Sequence, residues 1–514
     1  MPNKSADILF QLIRSLEKSE KRNFKLYIQR NSGNKDLKII ELFDAIDKLK
    51  EYDEAILLKK LSSIEKPQLS NVKAHLYKQL LASLRVIKTS ESIDMQLHEQ
   101  LDYARILYNK GLYYQSLKIL EKVKEMAIHH HQYTFLIQVI SFEKKIETLH
   151  ITRSMKDRAE KLSLEALGVN KKRETITGLS NLALLLYSWY VQNGHARNTD
   201  DEAVVKEFFF GKLPKDHLQL DGFYERLYIY QSFCWFAFIR QDFLMYYRYT
   251  QKWVDLFHEN ENMIEIETGH YIKGLHNLLN AQFDLRNYKK FGETLAEFEK
   301  FSETDAANRF ENTRIQTFVY LFSGRLNQHI IVGDFKGGLK LLPLIEEKLE
   351  EYSLFIDRHR VLVINYKIST IYFGAGDYNR CIDYLHKIIN DQIDLRTDLQ
   401  CYSRLLHLIA HYELGNTEII EYLIKSVYRF MARMKNFTSV EEEIFKFLRN
   451  SFHISKNKLQ QEFEILLNKL KQFEHNRFEA RAFVYLDIIS WLESKVNKKP
   501  IAEIIRNKYL SSKH

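Results

Sequence analysis

The sequence predicts an all-α protein built from repeated helical hairpins. Only 5 prolines and 17 glycines occur in 514 residues, so little interrupts helix formation. Pairs of bulky residues five positions apart recur along the chain, each flanking a Gly, Asp or Asn turn. No stretch alternates apolar and polar residues for long enough to build a sheet. A helical repeat array accounts for all three observations.

The clearest repeat unit joins two amphipathic stretches at Gly376-Asp377, with Phe373 before the turn and Tyr378 after it. Large side chains at the end of one helix and the start of the next can pack across a tight turn. Similar pairs are Tyr108/Tyr113, Phe238/Phe243, Phe283/Tyr288, Ile330/Phe335 and Tyr412/Thr417. From Phe243 onward, the second members follow at steps of 45, 47, 43 and 39 residues. These steps predict a repeat of about 43 residues. Weaker turns at Ser154-Met155-Lys156 and Asn193-Gly194 occupy the wider gap before it.

The turn of this unit also resembles that of a known repeat family. Gly376-Asp377-Tyr378, followed by Cys381 at a small-residue position and by Leu385, is similar to the turn and second helix of the tetratricopeptide repeat. The step is longer than that family's 34 residues, and no proline closes the units. The resemblance is therefore to a divergent relative, of bacterial type. It implies a right-handed α-α superhelix in which the first helices of successive hairpins line a concave surface.

The repeat register divides the chain into three parts. Residues 1–92 lie outside it and are predicted to form an N-terminal helical module, which includes helices over Leu37–Lys50 and Leu69–Ile87. Residues 93–495 form the repeat array. Residues 496–514 hold a C-terminal capping helix, whose charges suit a surface that faces water.

Charge and apolar content favour a cytoplasmic protein without membrane insertion. The longest apolar runs, Leu182–Tyr187 and Phe233–Ile239, are too short to span a bilayer. Asp7 stands where a signal peptide would be apolar. The net charge of +9 comes from the two ends, because residues 101–450 carry 46 charges of each sign. Nucleic acid is therefore not favoured as a partner of the array, although the N-terminal module leaves that option open.

No constellation of residues predicts an enzyme. Neither Gly374-Ala375-Gly376 nor the Gly337-Gly338 turn has the spacing of a phosphate-binding loop. His407 and His411 lie one helical turn apart but have no third ligand or general base between them. We therefore predict no catalytic residues, no metal and no cofactor, and interpret the two histidines as packing residues.

The family resemblance assigns inward-facing positions to the first helix of each hairpin. They are polar or aromatic, without a block of Lys or Arg, and comprise Arg105, Asn109, Gln231, Trp235, His276, Asn280, Asn327, Tyr366, Thr370 and Tyr402.

Two functions fit this pattern. The first is a non-enzymatic scaffold that grips a protein or peptide segment in the concave groove, using aromatic anchors and side-chain amides. The second is a peptide-responsive regulator, since a helical module before such an array resembles bacterial peptide-pheromone receptors. In that case the array would control an output helix against DNA or a protein. The polar face of that helix consists of Asn71, His75, Lys78 and Arg85.

Overall fold

The computed structural model describes residues 7–31, 37–61, 63–150, 157–391, 397–434, 438–451, 454–474, 476–479 and 481–512. Within these ranges every regular secondary-structure element is a helix and none is a strand, which confirms the all-α prediction. The chain folds as two compact units, Met1–Lys171 and Lys172–His514. The predicted turn at Ser154-Met155-Lys156 lies outside the described residues.

The first unit contains two hydrophobic cores. Its helices are α1 (Ile8–Ser15), α2 (Lys18–Asn31), α3 (Leu37–Asp47), α4 (Glu54–Lys60), α5 (Lys66–Lys88), α6 (Ile93–Asn109), α7 (Tyr113–His129), α8 (Tyr133–Leu149) and the first part of α9 (Arg158–Asn193). One core joins α1–α5, and the other joins α6–α8. The boundary between the two units falls within α9.

The second unit is a series of helices that pack mainly against their neighbours in sequence. They are α10 (Thr199–Lys212), α11 (Phe223–Ile239), α12 (Phe243–His258), α13 (Asn262–Ile266), α14 (Thr268–Asp284), α15 (Tyr288–Ser302), α16 (Asp305–Asn308), α17 (Glu311–Val332), α18 (Phe335–Leu339), α19 (Leu342–Glu351), α20 (Arg358–Ala375), α21 (Tyr378–Ile389), α22 (Thr397–Glu413), α23 (Thr417–Arg433), α24 (Ser439–Ser451), α25 (Lys456–Lys471), α26 (Arg481–Tyr485), α27 (Ile488–Asn497) and α28 (Ile501–Ser511).

The hairpin between α20 and α21 forms as its sequence predicts. Gly376 ends α20 with φ at 84°, a left-handed conformation that glycine adopts without a Cβ clash. Asp377 then caps α21 by accepting a hydrogen bond from the backbone N–H of Arg380 at 3.1 Å. The rings of Phe373 and Tyr378 meet across the turn with centroids 5.4 Å apart. The predicted packing of bulky pairs across turns is therefore confirmed here, and again at Tyr108/Tyr113.

Capping side chains also fix several helix starts. The side chain of Asp53 accepts from the N–H of Ile56 at the start of α4, and that of Asn198 accepts from the N–H of Asp201 at the start of α10. Pro67 lies in the first turn of α5, where its missing N–H costs no intrahelical bond. The two capping side chains fix the starts of α4 and α10 as local capping chemistry predicts, whereas α5 begins at Lys66, three residues before the predicted start at Leu69.

Two parts of the array differ from the predicted hairpin pattern. A series of hairpins with turns at Ser154-Met155-Lys156 and at Asn193-Gly194 would place two helices between those turns, but α9 runs unbroken for 36 residues. Its sequence contains no proline, and Gly168 and Gly178 are tolerated in a helix at about 1 kcal/mol each. The sequence Ala480–Leu492 is amphipathic and predicts one helix. The described residues 481–497 instead form two helices, α26 and α27, divided at Leu486-Asp487.

None of the helices in the described ranges combines the length and apolar content needed to cross a bilayer.

Candidate functional site

The candidate site is a large cavity inside the second unit, with a volume of about 1480 Å³. Its walls come from the end of α9, from α11, α14, α17 and α20, from the start of α22, and from the C-terminal elements between residues 483 and 505. Four of these helices are the first members of successive hairpins, which is where the repeat register places the inward-facing residues.

The cavity brings six of the predicted residues together. They are Trp235, His276, Asn280, Asn327, Tyr366 and Thr370, and all of them line it.

Two further predicted residues lie just behind the lining. Gln231 is buried and bonds the Nδ1 atom of the lining residue His270 at 3.0 Å. Tyr402 is buried, donates to the Oε1 atom of Glu441 at 3.0 Å, and stacks on the lining residue Tyr485 with ring centroids 4.4 Å apart. Both residues support the lining from behind.

The remaining predicted residues belong to the first unit. Arg105 and Asn109 are exposed on α6, where Arg105 forms an ion pair with Asp102 at 3.0 Å. The residues of the proposed output face are exposed on α5, and Arg85 contacts the same Asp102 at 3.2 Å. That face comprises Asn71, His75, Lys78 and Arg85.

One part of the cavity is aromatic. Trp235 of α11 lies against Tyr187 and Tyr190 of α9, with ring centroids 5.0 and 5.6 Å away. Phe238 completes the group at 5.2 Å from the ring of Tyr190. All four rings line the cavity, so this region offers an apolar surface with polar edges.

A second part is cationic, and we call Lys273, Tyr320, Arg360 and Lys367 the cationic wall. Arg360 of α20 donates to the Tyr320 hydroxyl from Nη2 at 3.0 Å. The Nζ of Lys273 in α14 lies 5.1 Å from the centroid of the same ring. Burial opposes ionisation of Tyr320, but the charges of Lys273 and Arg360 outweigh it and lower the pKa of the phenol. The wall therefore stabilises negative charge at its centre.

Lys367 reaches the same wall from α20. Its Nζ donates to the Oγ of Ser323 at 2.6 Å and to the Oδ1 of Asn327 at 2.8 Å. Burial lowers the pKa of Lys367 to about 7, against the opposing effect of Asp284. Burial likewise raises the pKa of Asp284 to about 7, while Arg286 and Lys367 oppose that shift.

A neutral histidine lies beside these cations. The ring of His276 stacks on Tyr320 with centroids 4.2 Å apart and bonds Asn280 at 3.0 Å. Burial lowers its pKa well below the ordinary value, and the charges of Lys273, Lys367 and Arg360 lower it further. At neutral pH the imidazole is therefore uncharged and serves as a hydrogen-bonding group.

The C-terminal elements form the remaining wall. The hydroxyl of Tyr366 donates to the backbone carbonyl of Tyr485 at 2.9 Å, and Arg286 contacts Asp487 at 3.3 Å. Ile501 and Ile505 also line the cavity. The sequence predicts a water-facing cap for the last helices, whereas the structure places part of them against the array.

The cationic wall is a feature that the sequence-based prediction missed. The repeat register assigns a fixed set of positions to the groove face, and those positions contain no block of Lys or Arg. A prediction from those positions alone therefore misses the basic residues beside them. A usable signal was present: Arg360 and Lys367 are seven residues apart, which puts both on one face of α20. Lys273 lies three residues before His276, again on one face.

Histidines outside the cavity form a separate cluster. The Nε2 atom of His407 lies 3.0 Å from that of His386 and 3.3 Å from that of His411. Burial, together with those neighbours, lowers the pKa of His407 to about 3. Among the described residues, no three His, Cys, Asp or Glu side chains are grouped so that they could hold a metal ion.

Neither family models nor curated proteins nor solved structures give a significant match to this chain.

Proposed function

We propose that this chain is a cytoplasmic, non-enzymatic binding protein whose tetratricopeptide-like array holds a peptide or protein segment in the cavity. The observation that carries the proposal is the cavity's volume of about 1480 Å³. Small-molecule sites usually have volumes of roughly 300–1,000 Å³, so this one has room for an extended chain.

The chemistry of the lining supports a peptide ligand. Trp235 and its neighbouring tyrosines offer rigid aromatic surface to an apolar side chain. The side-chain amides of Asn277, Asn280, Asn327 and Gln316 also line the cavity. Amides can both donate and accept, which is what an extended peptide backbone requires.

The test is quantitative affinity capture with the full chain, followed by mass spectrometry. Trp235→Ala and Asn280→Ala remove an aromatic anchor and an amide from the cavity. Tyr422→Ala is the matched control, because that side chain is exposed on α23 and does not line the cavity. If a protein binds in the cavity, both cavity variants should capture less of it than the parent does, and the control variant should capture the same amount. If all three variants capture the same proteins equally, the cavity is not the binding site.

The regulator remains a second candidate, favoured by the exposure of the polar face of α5. A regulator needs an accessible output surface, and Lys78 and Arg85 provide charge there. Lys78→Glu combined with Arg85→Glu should abolish capture of the output partner while leaving capture through the cavity intact. Nuclease treatment of the lysate separates a DNA target from a protein target. Unchanged capture by the double variant in both lysates would exclude this role for α5.

A further inference from the structure

Three basic side chains line one wall of the cavity, and the carboxyl groups described near them offset their positive charge only in part. Lys273 belongs to α14, while Arg360 and Lys367 belong to α20. Lys273 and Arg360 lie at Tyr320 of α17, and Lys367 reaches Ser323 and Asn327 of the same helix. Tyr320, Ser323 and Asn327 are spaced three and four residues apart on one face of α17, so the side chains that contact them line the same wall.

The carboxylates near these cations leave positive charge unbalanced. Asp357 pairs with Arg360 at 2.7 Å. In the described part of the chain, no carboxylate oxygen lies within 4.0 Å of the amino group of Lys273 or Lys367. Asp284 is the carboxyl group that acts on Lys367, and burial moves both pKa values to about 7, so at neutral pH each of the two groups is only partly ionised. A bound anion would favour the charged form of the lysine. Grouping cations away from bulk water costs free energy that a bound anion can offset.

We propose that the cationic wall formed by Lys273, Tyr320, Arg360 and Lys367 binds the phosphate group of a ligand that enters the cavity. The hydroxyl of Ser323 and the amide of Asn327 hold the Lys367 amino group in position. This inference goes beyond the peptide proposal, since phosphate alone can occupy the wall.

The number of donors favours phosphate over carboxylate. A carboxylate has two oxygens and one negative charge, and a single arginine fork satisfies it. A phosphate monoester carries about −1.5 to −2 charges at neutral pH and three acceptor oxygens. Two lysines and an arginine, held on two different helices, match the larger charge and the greater number of oxygens.

The experiment is isothermal titration calorimetry of the full chain at pH 7 and constant ionic strength, with inorganic phosphate, phenyl phosphate and acetate as separate probes. Lys367→Met and Lys273→Met should each weaken phosphate binding by at least about tenfold, the loss expected for one charge-assisted hydrogen bond. Lys300→Met is the matched control, because Lys300 is exposed on α15 and does not line the cavity. It should bind phosphate as the parent does.

Each outcome decides one point. If phenyl phosphate binds more tightly than inorganic phosphate, the ligand of the cationic wall is a phosphate ester. If inorganic phosphate binds more tightly, the ligand is the free ion. Absence of binding by both, equal binding of acetate, or full binding by Lys367→Met overturns the proposal. If either lysine variant fails to fold, Tyr320→Phe serves instead, because it keeps the ring and removes only the hydroxyl that orients Arg360. This variant should weaken phosphate binding while the chain still folds.

The same titration separates this proposal from the peptide proposal. Trp235→Ala alters the aromatic part of the cavity and should leave phosphate affinity unchanged. If Trp235→Ala captures the same proteins as the parent while the lysine variants lose phosphate binding, the peptide proposal fails. If Trp235→Ala loses captured proteins while the parent binds no phosphate, the phosphate proposal fails.

Discussion

The hydroxyl of Tyr366 donates a hydrogen bond to the backbone carbonyl of Tyr485 at 2.9 Å, across 119 residues of sequence. Burial raises the pKa of Tyr366, so the phenol stays protonated and able to donate. Through this bond α20 holds the last residue of α26, directly before the short segment that joins α26 to α27. The cavity therefore depends on a contact between two distant parts of the chain.

Tyr366→Phe should loosen that segment. The substitution keeps the ring but leaves the carbonyl of Tyr485 without its donor, at a cost of about 1–2 kcal/mol. We expect faster hydrogen exchange in the peptide that spans residues 481–497, measured by mass spectrometry, and a lower free energy of unfolding. Tyr422→Phe removes an exposed hydroxyl and should change neither quantity. Unaltered exchange in the Tyr366 variant would mean that other contacts fix the segment.

Glu202→Gln should destabilise the second unit. Glu202 is buried and contacts Arg240 at 2.7 Å, Lys206 at 3.0 Å and Arg477 at 2.5 Å. Removing the carboxylate charge leaves Arg240, the least exposed of these cations, without this partner, which for a buried ion pair costs about 3 kcal/mol. Chemical denaturation at pH 7 measures the loss. Glu207→Gln, at an exposed site on the same helix, should shift stability by no more than about 0.5 kcal/mol.

The effect of Glu202→Gln on the free energy of unfolding should depend on pH. Burial opposes ionisation of Glu202, but hydrogen bonds from Lys206 and Arg240 outweigh it and lower the pKa. The ionised carboxylate therefore stabilises the fold above its ordinary pKa of 4.5, and this stability is lost as the pH falls through the lowered value. The stability gap between the parent and Glu202→Gln should narrow below pH 4.5. A gap that stays constant with pH would contradict this ionic role.

Gly374→Ala should destabilise the array through a steric clash. A Cβ atom at Gly374 would overlap the ring of Phe335. Overpacking of this kind costs about 1–3 kcal/mol. Gly292→Ala is the opposite case, since no neighbouring atom lies within 4 Å of its added Cβ in α15, and it should stabilise by about 0.5–1 kcal/mol. Thermal unfolding distinguishes the two variants, and adding Phe335→Leu to Gly374→Ala should restore part of the loss.

Lys367→Met should stabilise the chain more at pH 7 than at pH 10. Burial lowers the pKa of Lys367 from 10.5 to about 7, so between these values the unfolded chain holds the proton that the folded chain has released. Stability of the parent therefore rises with pH over that window, and the methionine variant lacks this contribution. Urea unfolding at pH 7, 8.5 and 10 measures the difference in the free energy of unfolding between Lys367→Met and the parent at each pH. Lys300→Met, at an exposed site, is the control for the loss of a surface charge. A difference that does not shrink toward pH 10 would show that the amino group is not desolvated.

Local features of the fold could be predicted from sequence because they depend on neighbouring residues. A hairpin is specified within about six positions by Gly376 at the turn, Asp377 as the helix cap and the aromatic pair that packs across them. The starts of α4 and α10 follow from Asp53 and Asn198 for the same reason. Six of the ten predicted groove residues line the cavity. All ten lie on first helices of hairpins, so helix order alone does not decide which side chains reach the cavity.

Long-range placement could not be predicted in the same way. Helical periodicity shows which face of α27 is apolar, but not whether that face packs on the preceding helix or on one far back in the chain. The contact of Arg286 with Asp487 joins residues 201 positions apart, and no local pattern encodes it. The cationic wall was missed for a related reason: Lys273 and Arg360 lie on different helices and meet only through Tyr320.

The return of the C-terminal elements onto the array has a consequence for biosynthesis. Translation at roughly 5–20 residues per second delivers Asp487 about 10–40 s after Arg286, so the nascent array exists for that interval with one side of its cavity unformed. Apolar positions that later meet Ile501 and Ile505 are exposed to water during the delay. Synonymous changes that slow translation of the last hundred codons should therefore raise aggregation of newly made chains without altering the finished protein.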